Sequence, residues 1–174
     1  DPYLTFAAHA RPEVAAELTA LADALHAADQ VLVHGDVSPK NILLRAAGPV
    51  LLDAECATMG DASFDPAFCL NHLVLKAVHL PASRDRLLAG AAAFWAAYAA
   101  HASWEDPAAL EARVCRLLPA LLLARVDGKS PVEYLGQGAR GFVRRAAIAL
   151  IASPAPTLAA FTERLKITMK EQGK

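Results

Sequence analysis

Apolar positions recur along this chain at two periods. Val14, Leu18, Leu21, Ala22 and Leu25 share one face at helical spacing. Pro12 suits the first position of that helix and Glu13 and Glu17 its early turns, so a helix is predicted from Pro12 to near Asp29. Asp1 to Arg11 reads as a loop or short turn. Three short apolar runs follow, Gln30–His34, Ile42–Leu44 and Val50–Leu52, broken by Gly35, Pro39 and the turn Ala46-Ala47-Gly48-Pro49. Short runs punctuated in this way read as small strands sharing one small sheet. From Asp65 onward the period is helical again. Asp65 is read as an N-cap and Pro66 as the first residue of a helix that buries Phe68, Leu70, Leu73, Val74 and Ala77. A second helix spans about Arg84 to His101. Asp106 caps a third, opened by Pro107, with Leu110, Val114, Leu117, Leu118 and Leu121 on its core face and a kink or break expected at Pro119. Gly128 ends it. Ser130-Pro131-Val132-Glu133 reads as a capping box opening another helix. Helices are expected over about 137–153 and 157–170, separated by Pro154 and Pro156. The predicted fold is mainly α with a small β-hairpin.

Composition narrows the class. The chain has 174 residues, 55% of them hydrophobic and many of those Ala or Leu, enough for a single helical domain over 1–174 with a real core. Seventeen basic and eighteen acidic residues give a formal net charge of -1, which offers no nucleic-acid footprint and no polybasic membrane patch. No apolar run is long enough for a membrane span, and no signal-peptide pattern opens the chain. Cys56, Cys69 and Cys115 form no CxxC pair and read as reduced, small core residues of a cytoplasmic protein.

The chemistry gathers at the strands. Asp36 and Asn41 lie on the loop after the first strand, and Asp53 follows the third, so two acids and an amide converge at one end of the small sheet. Phosphoryl transfer needs such groups: a carboxylate to orient and deprotonate a hydroxyl, and oxygen ligands for the Mg²⁺ that bridges the phosphates. Taken singly, each residue has a plain alternative, as a turn cap, a loop amide or a strand end. Taken together, their order and spacing favour chemistry. His34 is read as holding the loop by hydrogen bonds and not as a base.

The stretch His34-Gly35-Asp36-Val37-Ser38-Pro39-Lys40-Asn41 resembles the loop His-Gly-Asp-x-x-x-x-Asn of the aminoglycoside phosphotransferase and choline-kinase-like family. Gly60-Asp61-Ala62-Ser63-Phe64-Asp65 is similar to that family's later Gly-Asp-x-x-Phe-Asp. The resemblance runs from near the start to about Ile151. It implies the C-terminal lobe of a protein-kinase-like phosphotransferase, with catalytic loop 34–41 and metal-binding segment 53–55. In that reading Asp36 is the catalytic base, Asn41 and Asp53 hold Mg²⁺, and Asp65 braces the loop. ATP and a small-molecule hydroxyl acceptor are the implied partners. No Gly-rich phosphate loop occurs in the 35 residues before Asp36, so the family's N-terminal nucleotide-binding lobe is expected to be missing from this stretch, which by itself is expected to be weakly active.

Several positions keep two readings. Glu55 is either a further metal carboxylate or a salt-bridged structural residue. The Asp53-x-Glu55 pair is similar to the methylthioribose kinase branch, from which Asn41 departs. Asp53 and Glu55 can face one ion only if the strand continues through Ala54, because residues i and i+2 share a strand face. Lys40 and Lys129 are candidate substrate-binding residues, as are Arg125 and Asp127, while Asn71, His72 and Lys76 either line a cleft or pack. Arg140, Arg144 and Arg145 read as a solvated face. Acids and bases between 70 and 140 are too evenly mixed to name the acceptor. Two rivals stand beside the kinase: a non-catalytic ligand- or partner-binding module, and a metal-dependent hydrolase using His34, Asp36, Asp53 and Glu55, whose further histidines His72, His79 and His101 are scattered.

Overall fold

Helix α5, Pro107–Asp127, is the axis on which the other helices pack. Its apolar residues encircle it, as a core helix requires, and Leu110, Val114, Cys115, Leu118, Leu123 and Ala124 are fully buried. It opens on an N-cap: the Asp106 carboxylate accepts from the backbone N–H groups of Ala108 (3.3 Å) and Ala109 (3.1 Å), with Pro107 at the first position. It runs on through Pro119 as one helix, so of the kink or break expected there the break is absent. It closes at Gly128, whose N–H donates to Ala124 O at 2.9 Å.

The computed structural model describes residues 2–171, without the side chains of Pro2, Lys170 and Glu171. Helices α1 (Pro2–Ala10), α3 (Phe64–His79), α6 (Gln137–Ala152) and α7 (Leu158–Glu171) all touch α5. Helix α4 (Arg84–His101) lies on α3 and α7, and α2 (Ala15–Ala27), entered through a 3-10 turn at Pro12–Val14, lies on α1. The loop expected over Asp1–Arg11 is therefore a helix from Pro2, Asp1 itself lying outside the described residues. Leu4 and Ala7, both with no exposed surface, hold α1 in the core, and tertiary burial overrides a weak local pattern.

The strands form two antiparallel ribbons instead of one sheet. β2 (Ile42–Arg45) and β3 (Gly48–Leu51) make the expected hairpin, with Ile42 opposite Leu51 and Arg45 opposite Gly48. β1 (Val31–Val33) pairs instead with β4 (Thr58–Gly60), Val31 opposite Gly60, a strand that no apolar run announces. Two further expectations fail. The capping box at Ser130 opens no helix, because Val132 is buried and its N–H donates to Arg125 O at 2.8 Å, folding the loop back on α5. Cys69 and Cys115 are buried, but Cys56 is exposed, and all three are free. No helix among the described residues is long and apolar enough to cross a membrane.

Candidate active site

β1 delivers His34, Gly35 and Asp36 to a tight loop. Gly35 has φ +83°, which L side chains rarely adopt, and a Cβ there would stand 2.7 Å from Cys56 O. That contact seats the turn after β3 directly against the loop. Asp65 fixes the loop from α3: its carboxylate accepts from His34 N (2.7 Å) and Gly35 N (2.9 Å). Asp65 therefore does not cap its helix. Ser63 holds the N-cap position without a side-chain cap bond, and Pro66 is the third helical residue. Asp65 thus ties the loop to α3. His34 Nδ1 accepts from Asp36 N at 3.3 Å, so His34 also holds the loop by a hydrogen bond, with its buried Nε2 unpartnered among the described residues.

Asp36 and Asn41 meet. Asn41, 6% exposed, donates through Nδ2 to Asp36 Oδ2 at 2.9 Å and to Asp36 O at 3.0 Å. Lys40 Nζ stands 3.3 Å from the same Oδ2. Asp36 Oδ1 and Asn41 Oδ1 take no hydrogen bond among the described residues. A 3-10 turn, Pro39–Asn41, produces this geometry, with Asn41 N donating to Ser38 O.

The hairpin brings Asp53 alongside the loop. Leu52 N donates to Asn41 O at 2.8 Å, which sets Asp53 one residue past the position bonded to Asn41. Asp53 is exposed and has φ +66°, the left-handed region. The strand ends at Leu51 and a 3-10 turn, Ala54–Cys56, follows. The strand continuation that would turn Glu55 and Asp53 to one side is thus absent, and Glu55 is exposed on the turn. Among the described residues no three His, Cys, Asp or Glu side chains gather as a metal-binding group. The available oxygens are those of Asp36, Asn41 and Asp53.

Other candidates divide. Asp61 of the second motif turns away to Arg113 (3.1 Å), which also binds Glu105 (2.7 Å), tying the turn before α3 to α5. Asp127 is consumed by Arg11 and Arg144 at 2.6 Å each. Burial pushes its carboxyl up, but the hydrogen bonds and charges of Arg144 and Arg11 outweigh that and hold it below its ordinary value. Arg144 and Arg140 are therefore not a solvated face: Arg140 donates to Leu135 O and Val132 O, whereas Arg145 is exposed as expected. Lys129 is exposed, its Nζ 5.6 Å from the ring of Phe6 on α1.

Sequence reasoning left His72 and Lys76 between two readings, and the fold turns both towards the loop side. His72 lies on α3 with its ring 5.2 Å from Phe68 and its buried Nε2 unpartnered. Burial, first, and then the charge of Arg125 push its pKa down to about 4, with Lys40 and Lys76 acting the same way and Asp36 opposing them. Tyr134, which sequence reasoning did not single out, lies beneath Lys76, whose Nζ is 3.9 Å from the ring centroid. Helical spacing aligns Phe68, His72 and Lys76 on one side of α3, but only the fold of the loop after α5 brings Tyr134 there.

No curated protein sequence matches the chain significantly. The sequence profile of the phosphotransferase enzyme family matches residues 2–104, from α1 through the loop 34–41 and the Gly-Asp-x-x-Phe-Asp motif to just past α4. That is more than half of the chain, and it includes every residue that builds the Asp36–Asn41–Asp53 cluster. The chain belongs to the phosphotransferase enzyme family.

Proposed function

We propose that this chain carries the catalytic lobe of a small-molecule kinase, moving the γ-phosphoryl group of ATP to a hydroxyl of a small acceptor. The observation that supports it most is the division of labour on Asp36. Oδ2 is held by Asn41 and Lys40, while Oδ1 takes no hydrogen bond from the described residues. A carboxylate fixed on one oxygen presents the other as a proton acceptor in a defined direction, as general-base assistance requires. Asp65 keeps that direction constant by bonding the backbone just before Asp36.

Asn41 Oδ1 and the exposed Asp53 carboxylate are hard oxygen donors joined through the Leu52–Asn41 backbone bond, and they fit Mg²⁺. Glu55, on the following turn, is the further carboxylate this reading allows. When bound, Mg²⁺ with ATP supplies charge neutralisation at the phosphate oxygens. The chain's own share is positioning. Asp36 Oδ1 orients the acceptor hydroxyl and takes its proton, while Lys40, 69% exposed at its side chain, adds positive charge at the mouth of the site. Lys129 stands on the α1 side as an outlying candidate for acceptor contact.

Electron paramagnetic resonance of Mn²⁺ in the presence of ATP tests this reading, since Mn²⁺ shares the oxygen preference of Mg²⁺. The chain should bind Mn²⁺-ATP, and Asp53→Asn should weaken binding at least about tenfold, the effect of one charged ligand contact. Equal binding by both removes Asp53 from the site. No binding by either favours a non-catalytic module.

A further inference from the structure

Beside the loop of Asp36 the fold leaves positive charge without a partner. The other half-buried arginines among the described residues are committed: Arg11 and Arg144 to Asp127, Arg113 to Asp61 and Glu105, and Arg84, Arg140 and Arg164 to backbone carbonyls. Arg125, half-buried on α5, is in no ion pair among the described residues, and its buried Nε has no hydrogen-bond partner. Lys76 on α3 is likewise in no ion pair there and rests on the ring of Tyr134. The buried Tyr134 hydroxyl and His72 Nε2 have no hydrogen-bond partner among the described residues either. Buried polar atoms are rarely left unsatisfied, and a guanidinium least of all, because desolvating it without an acceptor is costly.

These groups are close enough to act on one another and on the catalytic loop. His72 feels Arg125, Lys76, Lys40 and Asp36, and Arg125 also acts on Tyr134. Asp36 is the one acid among the charges facing His72, and Lys40 already offsets it at 3.3 Å. The net charge left over is that of Lys76 and Arg125. The orphaned atoms have a common deficit: Arg125 Nε, Lys76 Nζ and the Tyr134 hydroxyl are all donors, and a neutral His72 offers an N–H on one of its two nitrogens. Several donors and uncompensated positive charge in a half-buried place call for an oxyanion.

We propose that His72, Lys76, Arg125 and Tyr134 form an oxyanion-binding subsite for the acceptor, so that the alcohol presented to Asp36 carries a carboxylate or phosphate group of its own. The assignment rests on the reading of Asp36 as the base that receives the acceptor hydroxyl. It runs against a polycationic acceptor such as an aminoglycoside, which the same charges repel. It also gives the half-buried Arg125 a partner that the described residues do not supply.

The test uses the full chain labelled with ¹³C in its histidine rings, the His72 signal being assigned by its loss in His72→Gln. Inorganic phosphate is titrated in at constant ionic strength, and acetate in parallel. The His72 ring signal should shift saturably, and its pKa should rise while the anion is bound. Arg125→Gln should weaken phosphate binding at least about tenfold, and Arg125→Lys, which keeps the charge, should weaken it less. Far-UV circular dichroism and melting temperature identify variants that remain folded, and Lys76→Gln is read alongside in case Arg125→Gln is not among them. Tighter phosphate than acetate binding points to a phosphorylated acceptor, the reverse to a hydroxy acid. A non-saturating response at His72, unchanged affinity in both neutralised variants, or a saturable shift with kanamycin in place of phosphate overturns the proposal. Mn²⁺-ATP binding on the same samples separates the two readings. If Mn²⁺-ATP binds and phosphate leaves His72 unmoved, the subsite alone falls. If phosphate binds through Arg125 and Mn²⁺-ATP does not, the nucleotide reading falls and the subsite stands as an anion site.

Discussion

Asp36 shares one oxygen with Asn41 and Lys40 and keeps the other clear, so its substitution separates chemistry from folding. Asp36→Asn retains an amide that Asn41 can still meet but removes the proposed proton acceptor. Phosphoryl transfer from ATP, followed with γ-labelled nucleotide, should fall by about 10²–10⁴-fold, the span of general-base assistance, with the melting temperature nearly unchanged. An undiminished rate would dismiss Asp36 as the base. Gly35 is the opposite case, a residue whose replacement acts through the backbone. Gly35→Ala places a methyl group 2.7 Å from Cys56 O and 2.9 Å from Cys56 Cβ at a φ of +83°. It should cost about 1–3 kcal/mol, measured by urea denaturation, and should lower transfer by displacing the Ala54–Cys56 turn. At this scale the sequence was most informative where chemistry and loop geometry coincide: spacing pointed to Asp36 and Asn41, whereas the bracing by Asp65 came only from the resemblance of residues 60–65 to a family motif, its local signal being that of an N-cap. It was silent on Tyr134, because a tyrosine in a loop has no periodic or motif context. Its relevance comes from the return of the loop to α5 through Val132 N and Arg125 O.

Elements were legible wherever a local stop signal agreed with the apolar period. Arg84–His101 is reproduced residue for residue, and Asp106-Pro107 opens α5 by the capping bonds its residue types imply. The missed elements are those defined by partners distant in sequence. α1 has little periodicity of its own and exists because Leu4 and Ala7 fill a site on α5. β4 is three residues held by the register of β1, with Gly60 opposite Val31 and Thr58 opposite Val33. The false helix at Ser130 had a sound local signal, but Arg140 takes the carbonyls of Val132 and Leu135 that a helix would have used, and α6 begins at Gln137. Asp127 joins three such elements, since Arg11 follows α1 and Arg144 lies on α6. Asp127→Asn leaves two guanidinium groups facing a neutral amide. With the Asp127 side chain 7% exposed but its partners about a third exposed, the loss should be about 2–3 kcal/mol, below the range for a fully buried pair. Differential scanning calorimetry at neutral pH should register a fall of about 5–10 °C; a fall under about 2 °C would mean that the clamp adds little.

For the molecule as a whole, Asp127 and His72 set how stability changes with acid, and they act in different windows. In the folded chain His72 resists protonation down to about pH 4, whereas an unfolded histidine takes its proton near pH 6.5. Between those values the unfolded state binds more protons, so stability falls as pH falls. Asp127 has its folded pKa below the unfolded value. Its contribution is therefore intact above the ordinary carboxylate pKa and is lost as pH drops through the folded one. Acidification should weaken the fold first from about pH 6.5 to 4, through His72, and again below about pH 4, through Asp127. Urea midpoints taken at half-unit steps resolve the two stages. His72→Gln should flatten the upper stage and leave the lower, while Asp127→Asn should lower stability at pH 7 and flatten only the acid end. An unchanged upper stage in His72→Gln would show that His72 titrates as it does in the open chain, and that α3, α5 and the catalytic loop do not shield it together.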